Sequence, residues 1–229
     1  MFMVNQLSGF GAGGVHRASI ALGDNVVDGS NKTTYTFADA SLGTSASDRQ
    51  VVVGVINHDA SSPQDVTALT IDGVAAGRVT SLVNGEVGLD FWAADVPSNA
   101  TGDIVVTLGG EANRCGIGVW AVYAAQTAPF DVARNTDDPM AAALDVPIGG
   151  VGIGIAGHNS NGTFDWTNMA KRYDEIVETG SATVHTGADA TSDGTLTRTC
   201  DPSASSPPRS GNAARLVGAG QPGDGTPRR

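Results

Sequence analysis

Residues 66–94 read VTALTIDGVAAGRVTSLVNGEVGLDFWAA. Val66 to Ile71 alternates in character, with Leu69 and Ile71 on one face, as a half-buried strand does. Asp72-Gly73 follows, and Asn84-Gly85 comes after Val74 to Val83. Both dipeptides favour the left-handed backbone angles of a two-residue hairpin. The stretch therefore predicts a meander of strands at 66–71, 74–83 and 86–94. Outward from it the same grammar recurs. Thr33-Thr34-Tyr35-Thr36-Phe37 alternates, and Gln50 to Asn57 (QVVVGVIN) reads as a more fully buried strand. Asp103 to Leu108, Cys115 to Ala124 and Val151 to His158 are further apolar strands. Phe164 to Tyr173, Ala182 to Thr186 and Thr195 to Thr199 are weaker ones. Helical periodicity is confined to one possible turn at Pro139 to Asp145, ended by Pro147. About ten short strands without intervening helices predict an all-β fold: a two-sheet antiparallel β-sandwich, jelly-roll-like.

Two stretches alternate glycine with bulk: Cys115-Gly-Ile-Gly-Val-Trp120 and Gly150-Val-Gly-Ile-Gly-Ile-Ala-Gly157. In a strand this puts glycines on one face and large residues on the other. A glycine face lets a second sheet or an aromatic ring approach closely, so both segments read as central core strands. Trp92, Trp120 and Tyr123 belong to predicted strands and to the core.

The ends differ from the middle. Residues 1–25 carry Gly9-Phe10-Gly11-Ala12-Gly13-Gly14, and residues 26–200 carry the predicted strands. Residues 201–229 hold five of the ten prolines and a net charge of +2, which leaves −13 on the rest. Such a tail buries too little apolar surface to offset its ordering entropy and is expected to stay flexible. Arg215-Leu216-Val217-Gly218 is its only apolar cluster, able to pair as a late strand.

Composition excludes several roles. Lys+Arg is 13 against Asp+Glu 24, a formal charge of −11, which opposes nonspecific binding to nucleic acid or an acidic membrane. No apolar run is long enough to span a bilayer, and Met1 to Gln6 does not read as a signal peptide. The sequons at Asn31, Asn99 and Asn161 are therefore expected to stay unused. Cys115 and Cys200 allow at most one disulfide, and a buried apolar Cys115 is the simpler reading.

Chemistry-bearing motifs are weak. Gly9, Gly11, Gly14 and Gly152, Gly154, Gly157 match G-x-G-x-x-G, but neither lies between a strand and a helix. His16, His58, His158 and His185 lack metal-ligand spacing, so no metal or cofactor is expected. A hydrolase nucleophile elbow is missing. Glu111, Asp165, Glu175 and Glu178 offer carboxylates without a defined pair. Asp137-Asp138 and Asp189 to Asp193 read as solvated acidic loops, not as calcium ligands. Two loops remain as candidates. His58-Asp59 and His158-Asn159 each end an apolar strand, and if loops 57–65 and 158–165 share one end, His58, Asp59, His158 and Asp165 can converge. Trp166, in Phe164-Asp165-Trp166, would stack on a sugar if exposed and would otherwise pack at a sheet edge.

The run Thr33-Thr34-Tyr35-Thr36-Phe37…Gly43-Thr44…Ser47-Asp48-Arg49-Gln50-Val51-Val52-Val53-Gly54-Val55 resembles small accessory structural proteins of tailed double-stranded DNA bacteriophages. So do Leu69-Thr-Ile-Asp-Gly-Val-Ala-Ala, Asp103-Ile-Val-Val-Thr-Leu, Asn113-Arg-Cys-Gly-Ile-Gly-Val-Trp-Ala-Val and Val146-Pro-Ile-Gly-Gly-Val-Gly-Ile-Gly-Ile-Ala. The resemblance covers roughly residues 30–200. It implies a non-enzymatic, oligomeric β-sandwich in the virion: a decoration or cement protein, a head fibre, or a tail-associated part. The implied partner is the major capsid protein or another shell protein. The implied anchor is the Gly-rich start, Leu7, Gly9, Phe10, Gly11, Gly13, Gly14 and Val15, with Phe10 as its apolar plug. The alternative is a tail-tip, carbohydrate-binding module that meets a host-surface glycan through His58, Asp59, His158, Asp165 and Trp166. The C-terminus departs from the family pattern, because the phrase breaks down after Cys200.

Overall fold

The computed structural model describes residues 17–136, 142–146, 149–158, 163–177, 183–191, 197–200, 203–204 and 213–219. The anchor candidates Leu7 to Val15 lie outside these residues. No helix occurs among the described residues. The strands are β1 (Ser19–Asp28), β2 (Lys32–Ser41), β3 (Gln50–His58), β4 (Val66–Ile71), β5 (Val74–Ala75) and β6 (Gly77–Asn84). Next come β7 (Val87–Asp95), β8 (Thr101–Ala112), β9 (Arg114–Tyr123), β10 (Pro129–Asn135), β11 (Ala142–Asp145) and β12 (Val151–His158). The last are β13 (Phe164–Asp165), β14 (Ala170–Ile176), β15 (Val184–Thr191), β16 (Thr197–Cys200), β17 (Ser203–Ala204) and β18 (Ala213–Ala219).

The first nine strands form two sheets, in the orders β1-β9-β3-β7-β6 and β2-β8-β4-β5. Every pairing is antiparallel. With β6 set aside as an added edge, the chain alternates between the sheets so that β1-β9-β3-β7 faces β2-β8-β4-β5. That is the strand order of a jelly roll, as the sequence predicts. The meander is subtler than expected. The strand predicted at 74–83 splits at Ala76: β5 pairs with β4, and β6 crosses to pair with β7. Asp72 and Gly73 both have positive φ, 50° and 76°, as the predicted turn requires. The next turn is Gly85-Glu86, one residue later than the Asn84-Gly85 dipeptide suggests. It carries glycine (φ 59°) at its first central position, with Asn84 opposite Val87.

A third sheet, β10-β18-β12-β15-β14, lies on the other face of the β1-β9-β3-β7-β6 sheet. The middle sheet is therefore buried on both sides. Along β3, Val51, Val53 and Val55 point into one core with Tyr35, Phe37, Leu69 and Ile104. Val52 and Ile56 point into a second core with Phe91, Trp120, Val151, Ile153 and Ile155. The period-2 alternation of a strand produces this division, and it explains why QVVVGVIN is apolar on both faces. Close approach of the third sheet depends on glycine. A methyl on Gly54 would lie 2.7 Å from Ile155 Cγ2, and one on Gly118 or Gly187 would collide with the Tyr173 ring. The glycine faces read from residues 115–122 and 150–157 thus take both a sheet and an aromatic ring.

Two sequence readings change, at residues 142–145 and at Tyr123, and an alternative left open near the C-terminus is taken up. Residues 142–145 are strand β11, paired with β16, where a helical turn was possible; four successive cross-strand pairs outweigh alanine's local helix preference. β18 contains the Arg215-Leu216-Val217-Gly218 cluster read as able to pair as a late strand, and it runs between β10 and β12. Tyr123 is half-buried at the end of β9, where its hydroxyl donates to Thr44 O (2.9 Å). Trp92 and Trp120 are buried as predicted, and so is the free thiol of Cys115.

Candidate functional site

His58 ends β3, with Arg114 of β9 and Val87 of β7 as its register neighbours. Its Nε2 lies 3.4 Å from Glu86 Oε2. Burial, with Arg114 beside it, holds this imidazole below its usual pKa. Arg114 Nη1 donates to Thr183 Oγ1 (2.9 Å) just ahead of β15, whose first residue, Val184, pairs with His158. A methyl on Gly157 would run into the Ile56 side chain. The strand ends that carry His58 and His158 therefore share one end of the layered body, as the sequence reading required.

The side chains go their own ways. His158 is buried, its ring centroid 4.9 Å from that of Phe164, and burial lowers its pKa too. Asp59 Oδ1 accepts from the amides of Ser61 and Ser62 (2.8 and 3.4 Å), shaping its own turn. Asp165 is exposed in β13, opposite Ser203. Trp166 is half-buried: its Nε1 donates to Thr186 Oγ1 (3.0 Å), and its ring packs with Leu144 and Val146. Trp166 thus serves as sheet-edge packing.

A second constellation was missed by sequence reasoning. Asp189, expected in a solvated acidic loop, sits on β15 with its side chain 2% exposed. Arg172 of β14 donates Nε to Asp189 Oδ2 (2.8 Å) and Nη2 to Oδ1 (2.6 Å). Trp120 Nε1, from the middle sheet, donates to the same Oδ2 (3.2 Å). The bond to Asp189 raises the Arg172 pKa further. Beside this pair a cleft of about 440 Å³ opens between Ile20, Asn168, Met169, Arg172, Asp189 and Thr191. Deeper in, the Tyr173 hydroxyl meets His185 Nε2 at 3.1 Å, both side chains being buried. Burial alone pushes His185 down to about 3, and burial together with the nearby carboxylates of Glu175 and Asp174 raises Tyr173 well above its usual value. The available signal was slight: Asp189 lies between Ala188 and Ala190, but its partner Arg172 lies among Lys171, Tyr173 and Asp174 on a different strand.

Buried Arg49 is structural. Arg49, 1% exposed, donates to the carbonyls of Val96 (2.7 Å), Gly43 (2.7 Å), Ser98 (2.6 Å) and Asn99 (2.7 Å). It ties the loop at residues 42–49, which it shares with Gly43, to the loop at residues 96–100. Among the described residues no group of three or more His, Cys, Asp or Glu side chains could hold a metal ion. Comparison with protein-family models, curated proteins and solved structures finds no match for this chain.

Proposed function

We propose that the chain is a non-enzymatic structural component of a tailed bacteriophage particle, displayed on the outside of the shell as a decoration, cement or head-fibre protein. The observation that supports this most is the jelly roll of the first nine strands, an architecture recurrent in capsid and lectin domains. Charged side chains that act as struts support it as well. Arg49 joins loops, Arg172 and Asp189 join β14 to β15, and Trp120 joins that pair to the middle sheet. A fold supports a class of role by analogy, and chemistry must come from the site. A net charge of −11 suits a coat that stays soluble at high local density. In this reading Leu7 to Val15 attaches the protein to the shell.

The test is made on purified particles, by mass spectrometry and by immunogold labelling against residues 30–200. Label spread over the head is the expected result, with loss of label when residues 1–15 are deleted. A chain absent from the particles overturns the proposal. Label confined to the tail tip replaces decoration with receptor attachment.

A further inference from the structure

The Arg172–Asp189 pair has an unequal geometry. Asp189 accepts three N–H bonds, two from Arg172 and one from Trp120, and its side chain is 2% exposed. Arg172 is 43% exposed, and a guanidinium carries five N–H donors in a fixed plane. Two of them engage Asp189 side-on through Nε and Nη2. Among the described residues no other acceptor meets the end-on edge, formed by Nη1 and the second Nη2 hydrogen, and Arg172 lines the cleft. A buried aspartate thus holds an arginine fork in one orientation, the preorganisation that recognition sites need.

The rest of the cleft narrows the ligand class. Ile20 and Met169 supply apolar wall, and Asn168 and Thr191 supply polar groups. Asn168 holds a left-handed backbone (φ 67°) in the turn that enters β14. The volume, about 440 Å³, falls in the usual range for small-ligand sites of roughly 300–1,000 Å³. Arg172 and Asp189 cancel in charge, and the chain as a whole carries a formal charge of −11. That net charge disfavours an anion, whereas a polyol needs no counter-charge. Vicinal hydroxyl oxygens of a pyranose offer two adjacent acceptors to the fork, and its C–H face suits Ile20 and Met169.

We propose that this cleft binds a neutral saccharide, with Arg172 as its hydrogen-bonding anchor and Asp189 as the positioning residue that aims the anchor. The assignment stands whether or not the chain rides on a virus particle.

The experiment is saturation-transfer-difference NMR on the full chain. The probes are glucose, galactose, mannose, N-acetylglucosamine, maltose, lactose and chitobiose, with glucuronate as the charged control. At least one neutral sugar is expected to receive saturation. Arg172→Lys keeps a cation opposite Asp189 but loses the fork, and is expected to weaken that binding at least tenfold. Thr191→Arg, at an exposed position, fills the cleft and is expected to abolish it. Circular dichroism confirms that both variants are folded. The proposal is overturned if no neutral sugar receives saturation, or if only glucuronate binds. It is also overturned if both folded variants bind like the parent, whether or not Trp166→Ala then removes the signal. None of these results bears on attachment to particles, which is read on virions.

Discussion

Acidification from about pH 7.5 to about pH 5 should destabilise the fold through His185. The ring is fully buried, one nitrogen on the Tyr173 hydroxyl and the other facing the backbone of Gly116 across the sheet interface. Glu175 lies opposite it in register on β14 and accepts from Asn25 Nδ2 (3.0 Å). Folding holds His185 at a pKa of about 3, against 6.5 for the free side chain. The unfolded chain therefore binds a proton below pH 6.5 that the folded chain refuses. Stability is complete above 6.5, falls as pH drops, and levels off below about 3. At 1.36 kcal/mol per pH unit, the loss is about 2 kcal/mol at pH 5 and roughly 5 kcal/mol by pH 3. His58 and His158 are shifted in the same direction and steepen the slope. The assay is urea unfolding across this range, followed by the fluorescence of the buried Trp120. His185→Gln keeps a polar partner for Tyr173 without titrating there. Its stability should fall by about 2 kcal/mol less than the parent's between pH 7.5 and pH 5. Parallel curves for parent and variant over that window would refute the reasoning.

Two further predictions concern the joints of the fold. Arg49→Met should cost about 3–5 kcal/mol in urea unfolding at pH 7, because four carbonyls of two loop segments lose their donor at once. Gly54→Val should cost at least about 1–3 kcal/mol by overpacking, since its Cβ alone would lie 2.7 Å from Ile155 Cγ2 and 3.2 Å from Phe91 Cε1. Ile155→Ala in the same chain should return part of that loss, and a simple sum of the two single costs would contradict the contact.

The sequence discloses whatever depends on neighbours along the chain. Alternation in residues 33–37 and 66–71, the Asp72-Gly73 turn and the glycine faces at 115–122 and 150–157 all have local signatures. The two-sidedness of Gln50 to Asn57 was legible as well, but not the sheet that covers its second face. That sheet is assembled from five separated segments, and pairings at such distances leave no periodic trace. Asp189 was misread for the same reason. An aspartate beside Asp193 looks like a loop acid until Arg172 and Trp120 are brought to it, from 17 and 69 residues away. Trp166 shows the converse: its environment depends on Thr186, Leu144 and Val146, which no turn signal announces.

The sharing of the middle sheet between two cores has a consequence for how the chain emerges during synthesis. All the strands of the jelly roll are present once residue 123 has been made. The second face of its middle sheet, with Val52, Ile56, Leu89, Phe91 and Trp120, must wait. Its cover needs β12, β15 and lastly β18, which is inserted between β10 and β12 and comes from residues 213–219. For much of translation the nascent molecule carries an adhesive apolar wall on an otherwise closed domain, the kind of surface through which chains aggregate or recruit chaperones. Topological completion and solubility are thus separated by nearly a hundred residues, and a chain stopped between them would be folded and sticky at the same time.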